Sequence, residues 1–354
     1  MNRASLDSED STLNKRYFTT VNSVSSSSAS PTALTEIAGQ CYDSFIQMLT
    51  QHRLPDVAQE IQNRLSLLPN MTLADKFQQV NRLKAWLDSF RPLPTTVVAE
   101  LKKLYDVRFT YNSNAIEGNT LTQSETALVL ETGITIGGKT LREHLEVIGH
   151  KDAIDYIEQL AQNSTLIGEW QIKQIHNLIL RAISPEEAGR YRQLDVKAAG
   201  TEYVYPPNYL LSDLMSEFVT WLNSSETTDR HPIEFAAEAH LRFVSIHPFR
   251  DGNGRTGRLL MNLLLLRAGY PIVVISNQVR KAYIDAVVES QQQNNPSPFL
   301  ALLLDAAQQS LIEMLHILST ARESRGRGLP FYEEMLAFLS ERREITSTHS
   351  SPDP

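Results

Sequence analysis

The sequence holds a single cysteine, Cys41, among 354 residues. An intrachain disulfide and a cysteine-based zinc knuckle are therefore both excluded as staples. Long apolar runs are missing too. The longest, around Leu259 to Leu266, is stopped by Arg258 and Arg267, well short of the ~20 residues a spanning helix needs. The N-terminus lacks an apolar h-region, and Asp7, Glu9 and Asp10 stand where an organellar transit peptide would be poor in acids. These absences predict a soluble, cytoplasmic protein with no membrane partner. Excess positive charge is absent as well. With 33 Lys and Arg against 41 Asp and Glu, the formal net charge is −8, which offers no global attraction to nucleic-acid phosphates. Nucleic acid is not an expected partner. Hydrophobic residues make up 42% of the chain, ample for a core, and at about 150 residues per domain the length suggests roughly two domains.

Residues 1–32, with the run Ser25 to Ser28 and no apolar periodicity, read as a disordered Ser-rich tail. Beyond it the pattern turns helical. Leu73, Phe77, Val80, Leu83, Leu87 and Phe90 recur at spacings of three and four, the stripe of an amphipathic helix, which Pro92 and Pro94 then end. Helical segments are predicted over 95–115, 122–132, 141–161, 169–182, 210–223, 232–246, 254–268, 278–293 and 297–320. The one β signal is 193–206, where Val196 and Tyr203 to Tyr205 flank Gly200, and Pro206 and Pro207 close a small hairpin. The fold class is thus mainly α, a helical bundle with one β-hairpin flap. Residues 33–104 form an N-terminal helical region without recognisable chemistry, to which packing, a homodimer contact or target choice falls. Residues 321–354 read as a linker, RESRGRG, and one short helix over 331–343.

Two phosphate-type motifs fail on context. Gly133 to Thr140, GITIGGKT, spells a P-loop, and Asp305 in ALLLD offers the matching acid. A P-loop follows a buried strand and opens a helix, whereas Thr122 and Glu125 form a capping box for a helix that Gly133 stops. Gly252, Gly254 and Gly257 satisfy G-x-G-x-x-G, but 232–246 reads as helix rather than strand. The next acid after Asp251 is Asp285, so the ribose-binding acid of a dinucleotide fold has no candidate.

Residues 247–258, HPFRDGNGRTGR, make better sense as one chemical unit. Gly252 and Gly254 let backbone approach an anion, and the helix that follows turns its unpaired N–H groups toward it. Arg255 and Arg258, three residues apart, share a face near that helix start and carry guanidinium forks suited to phosphate oxygens. Asp251 supplies a hard oxygen ligand for magnesium. His247 stands just before the loop, where an imidazole of near-neutral pKa can take a proton from a hydroxyl. Phe249 reads as a core anchor for the loop.

These residues resemble the signature of the Fic family, His-x-Phe-x-Asp/Glu-Gly-Asn-Gly-Arg-x-x-Arg, met at His247, Phe249, Asp251, Gly252, Asn253, Gly254, Arg255 and Arg258. The similarity runs over about 105–320, through GRYR at 189–192, HPIEFAAEAH at 231–240 and MNLLLLRAGYP at 261–271. It is strongest to the branch with the metazoan endoplasmic-reticulum enzyme. The resemblance implies a Fic catalytic core over 169–320, preceded by inhibitory-motif helices over 105–168. It implies transfer of AMP from ATP to a Ser, Thr or Tyr hydroxyl of a target protein. His247 would then be the base, and Asp251 the magnesium ligand. Asn253, Gly254 and Arg255 would hold the α- and β-phosphates, Arg258 the γ-phosphate, and Tyr283 would contact the adenosine; eight residues on, where the family often has Asn, stands Gln291. The hairpin would align an extended target segment. Upstream, SNAIEG at 113–118 resembles the family's autoinhibitory motif, which assigns Ser113 and Glu117 to a lock on Arg258 and gives Glu117 a part in removing AMP from the target. A catalytically silent Fic-fold binding module and a P-loop nucleotide hydrolase remain the competing readings.

Overall fold

The computed structural model describes residues 30–51, 56–65, 71–163, 165–197, 203–224 and 230–348. The helices are α1 (Pro31–Gln51), α2 (Val57–Leu65), α3 (Leu73–Ser89), α4 (Thr95–Ile116), α5 (Gln123–Thr132), α6 (Leu141–Ala161), α7 (Glu169–Leu180), α8 (Leu211–Leu222), α9 (Pro232–Ile246), α10 (Asn253–Arg267), α11 (Arg280–Gln293), α12 (Ser297–Thr320) and α13 (Leu329–Thr348). The mainly α reading holds, and from residue 95 to 320 the helix limits match those predicted to within about two residues. No helix is long and apolar enough to cross a membrane among the described residues.

Helix α10 runs through the centre because it is apolar nearly all round from Leu259 to Leu266, interrupted only by buried Asn262: Leu259, Leu260, Leu263 and Leu265 have no exposed surface. Each such burial contributes roughly 1.5–3 kcal/mol, so the helix carrying the two candidate arginines is firmly fixed. Its neighbours α9, α6 and α7 pack directly on it. A single apolar cluster extends from Tyr42 in α1 to Leu339 in α13, and α4 crosses without interruption the boundary expected at residue 104.

Four expectations change. Residues 1–29 lie outside the described residues, and α1 already begins at Pro31. The stretch expected as a linker is a tight turn instead: Gly326 and Gly328 take positive φ, and Gly328 donates its N–H to Ser89 O at 3.0 Å. A Cβ at Gly328 would strike the Phe90 ring. The last helix is longer than expected, and within it Phe331, Tyr332 and Met335 are fully buried, Phe331 and Tyr332 against the rings of Phe45 and Phe90 and Phe331 also against Trp86.

The fourth concerns the hairpin. Its expected tip, 198–202, lies outside the described residues, and the described parts of its arms form no strand. Pro206 and Pro207 offer no N–H to a ladder. The arms are held by side chains: Arg192 donates to the carbonyls of Leu194 and Pro206, at 3.0 and 2.5 Å, and Asn208 donates through Nδ2 to Gln193 O at 2.8 Å.

The rejected P-loop spelling has a structural explanation. Thr122 and Glu125 form the capping box of α5, and Gly133 ends that helix in the left-handed region at φ 69°. Thr140 is the N-cap of α6, and Lys139 Nζ is spent on Thr120 O at 2.5 Å. Asp305 sits in mid-α12, paired with Lys76.

Candidate active site

The loop between α9 and α10 is held by its own side chains. His247 ends α9 in the left-handed region, φ 51° and ψ 57°, a conformation that costs a non-glycine residue about 1–2 kcal/mol. Asn253 accepts from Phe249 N at 3.0 Å and donates to Phe249 O at 2.8 Å, closing the loop on itself. Phe249 is buried and stacked on His176, ring centres 3.6 Å apart. Gly189 N–H donates to His176 Nδ1 at 2.9 Å, so His176 Nε2 carries the proton and donates to Asp251 O, also at 2.9 Å. Gly252, at φ 79°, takes a backbone conformation that disfavours a side chain, and a Cβ there would come tightly within 3.2 Å of the His176 ring.

His247 is oriented from two sides. Its Nδ1 lies 3.3 Å from Val244 O, which puts the proton on Nδ1 and leaves the Nε2 lone pair free. Arg192, buried, donates from Nε to His247 O at 2.9 Å, and its backbone N–H donates to Pro248 O at 2.9 Å. Burial first, then the nearby Arg192 charge, hold the His247 pKa down at about 4. The imidazole is therefore neutral at physiological pH and able to accept a proton.

The start of α10 is where the sequence places a candidate anion seat. Thr256 N bonds to Gly252 O at 2.9 Å, while the N–H groups of Asn253, Gly254 and Arg255 have no carbonyl within the helix to meet them. Arg255 is buried, yet its Nε and Nη1 have no hydrogen-bond partner among the described residues; such orphaned buried donors suit an anion. Asp251 stands at the mouth, half exposed, with Oδ1 accepting from Gly252 N at 2.6 Å and Oδ2 3.2 Å from Arg142. The only group of three clustered metal-type ligands among the described residues, Asp106, Asp155 and Glu158, lies elsewhere and is neutralised by Lys102 and Lys151.

Arg258 is the most completely engaged side chain. At 1% exposure it donates from Nε to Ser113 Oγ at 3.0 Å, from Nη2 to Ser113 O at 2.8 Å, and from Nη2 to Glu117 Oε1 at 2.7 Å. Burial opposes its charge, but Tyr283 and Glu117 outweigh that and raise its pKa. Glu117 is the C-cap of α4, and Gly118 turns the chain at φ 102°, so an ordinary helix end aims the carboxylate. That carboxylate rests directly on Gly254, where any Cβ would collide with Oε1.

Two candidates are placed differently from their expected roles. The Asn253 side chain is consumed in closing the loop, leaving only its backbone N–H for a ligand. Tyr283 is buried behind Arg258, accepting from Nη1 at 3.3 Å and bonding to His240 Nε2 at 3.0 Å. Gln291 donates to Ser245 Oγ at 3.1 Å. Sequence reasoning does not single out His176, Arg192 or His240. Arg192 and His240 fall within the segments GRYR and HPIEFAAEAH, and His176 in the helix before them, but their partners are 43 to 75 positions away, beyond any spacing pattern.

Residues 166–265 match the Fic/DOC family. Curated proteins named protein adenylyltransferase Fic are similar over more of the chain. The one from Culex quinquefasciatus is 35% identical over 268 residues, covering 75% of this chain and 52% of its own length; that from Nematostella vectensis is 34% identical over 295 residues, covering 82% and 65%. The chain thus spans about half the length of the first mosquito relatives it matches. Among solved structures, residues 134–508 of Fic-1 from Caenorhabditis elegans superpose with a TM-score of 0.59 at 32% identity, covering 69% of this chain and 72% of that one. A Fic-domain-containing signalling protein from Bacteroides thetaiotaomicron gives 0.62 at 28% identity, covering 70% and 98%. With sequence and fold both matched across the helices that build the seat, the chain belongs to the Fic/DOC family.

Proposed function

We propose that the protein transfers AMP from ATP to a Ser, Thr or Tyr hydroxyl of a target protein, and that Glu117 holds it in an inhibited state. The observation that carries this reading is the carboxylate on the anion seat: Glu117 touches Gly254 and pairs with buried Arg258, the position a terminal phosphate needs.

In the reaction, the target hydroxyl oxygen forms a bond to the α-phosphorus while the α–β phosphoanhydride bond breaks and pyrophosphate leaves. His247 Nε2 accepts the hydroxyl proton. The N–H groups that open α10 and the orphaned donors of Arg255 hold the α- and β-phosphates, and Arg258 holds the γ-phosphate once Glu117 has withdrawn. Tyr283 and Ser113 keep Arg258 in place during that exchange. The half-exposed carboxylate of Asp251 beside these donors fits magnesium, which when bound neutralises phosphate charge. Catalysis here is positioning and charge neutralisation. The extended arms held by Arg192, next to His247, serve a target segment. Glu117 also serves removal of AMP from the modified target, and the protein works in the cytoplasm.

Incubation with α-labelled and with γ-labelled ATP tests the reading on wild type and Glu117→Gly. Retained α-label is expected, strongest in Glu117→Gly. Released γ-phosphate with no retained label would point to a nucleotide hydrolase, and neither signal in either protein would leave a binding module.

A further inference from the structure

Glu117 is not the only group that neutralises the seat. Arg142, near the start of α6, donates from Nε to Glu146 Oε1 at 3.3 Å and from Nη2 to Asp251 Oδ2 at 3.2 Å. Asp251 Oδ1 lies 3.5 Å from Arg255 Nη2, and Arg255 Nη1 lies 3.7 Å from the same Glu146 Oε1. Two arginines and two carboxylates therefore close a ring of alternating charge around the mouth of the seat. Glu146, only 14% exposed on its side chain, is the fixed member. Its other oxygen accepts from Asn119 Nδ2 at 2.9 Å, and Asn119 Nδ2 also reaches Glu143 O at 3.0 Å. Asn119 belongs to the turn that carries Glu117.

We propose that Arg142 is a built-in cation that covers Asp251 and must be displaced before a divalent metal binds there. The inference rests on the reading of Asp251 as the metal ligand. Asp251 has two oxygens, and both are in use: one by Gly252 N–H and Arg255, the other by Arg142. A magnesium-type ion needs a carboxylate oxygen at about 2.0–2.1 Å, and a guanidinium on the outward oxygen competes for it with the same charge sign. A lone exposed pair would compete weakly. Here Glu146 holds the guanidinium from the other side, so the entropy of ordering a long side chain is shared across a network. The metal mouth and the inhibitory turn are thereby tied to one carboxylate, and Arg142 acts on the metal site as a positioning residue rather than a catalytic one.

The test is titration of the nucleotide-free full chain with Mn²⁺, followed by the loss of the free-ion electron paramagnetic resonance signal. Arg142→Gln is expected to bind Mn²⁺ about 1.5- to 5-fold more tightly than wild type, the range of an exposed ion pair. Arg142→Lys, which keeps a cation but loses the fork, should fall between them. Raising the salt should shrink the difference, since the pair is half exposed and screened. Unchanged or weaker Mn²⁺ binding in Arg142→Gln overturns the proposal. Asp251→Ala distinguishes the two levels: if it binds Mn²⁺ as wild type does, the metal assignment itself is wrong, whereas loss of binding there with no change in Arg142→Gln removes only the covering role.

Discussion

The loop 247–258 and the turn 113–119 meet at Arg258, yet they are held in unlike ways. The loop is fixed by contacts that no ligand disturbs: Asn253 closes it, His176 stacks beneath it, and Arg192 ties its first residues down. The turn reaches the site through buried Ser113, which accepts twice from Arg258, and through one movable group, the Glu117 carboxylate, 38% exposed on its side chain and carried by a residue that merely ends a helix. Under the proposed function the loop must survive every cycle unchanged, whereas the Glu117 contact must break and reform. The difference in anchoring is what a permanent device and a reversible one require, and perturbing each in turn tests the comparison.

The largest effect is expected at the loop. His247→Ala removes the one free imidazole nitrogen at the seat, and loss of a general base typically costs roughly 10²- to 10⁴-fold in rate. ATP affinity, measured by calorimetry, should stay near wild type, because the base touches the nucleophile and not the nucleotide. Transfer at wild-type rate would remove His247 from the mechanism.

At the turn the effect is smaller and of opposite sign. Hydrogen bonds between charged groups contribute ~1.5–3 kcal/mol, so Glu117→Gly should raise auto-modification by roughly ten- to over a hundredfold, and Glu117→Asp by less, since its shorter arm reaches Arg258 poorly. Arg258→Ala breaks the same pair yet should remain inactive, because the clamp itself is gone. Equal label incorporation in wild type and Glu117→Gly at saturating ATP would end the autoinhibition reading.

Anchoring by buried groups also has a pH signature. Burial, as the largest cause, lowers the pKa of His176 and His247 to about 4 and that of His240 to about 3, against 6.5 unfolded. Between those values the unfolded chain binds more protons than the folded one, so stability is fully present above about pH 6.5 and falls as pH drops toward 4. Every tenfold loss of proton affinity on folding is worth about 1.4 kcal/mol. Thermal unfolding followed from pH 7 to pH 4.5 should show Tm falling, and His176→Phe, which keeps the stack on Phe249, should fall less steeply. A flat profile would contradict the neutral, buried state of these rings.

The same contrast explains what is legible in the sequence. The helices from Thr95 to Thr320 announce themselves through apolar spacing, capping boxes and prolines, which act within a few residues. The loop is equally local, with the candidate base, the candidate metal ligand and the arginines inside twelve positions. What spacing does not reveal is long-range: Tyr283 faces Arg258 and His240 instead of the open seat, and Arg142 crosses 109 positions to Asp251. Alternating Tyr and Val spell a ladder at the hairpin, where Arg192 and Asn208 hold the described arms instead. The C-terminal helix outruns its own local signal because its aromatic face has meaning only beside Phe45 and Phe90.

The smallest effect is expected where sequence spelling and structure disagree most. Gly133 to Thr140 spells a nucleotide-binding loop, and in that reading Lys139 and Asp305 would be indispensable. Neither bonds a residue of the loop 247–258. Lys139 bonds the Thr120 carbonyl at the turn before α5, and Asp305 pairs with Lys76 on a 60% exposed carboxylate. Surface substitutions away from packed or strained positions usually change stability within ±0.5 kcal/mol. Asp305→Ala should stay inside that range, and Lys139→Ala should cost about 1–2 kcal/mol for the two hydrogen bonds to Thr120 it gives up. Placed in the Glu117→Gly background, where transfer is strong enough to measure a decrease, both should retain label incorporation close to the parent. A loss in these two comparable to that of His247→Ala would transfer the chemistry from the loop at 247–258 to the one at 133–140.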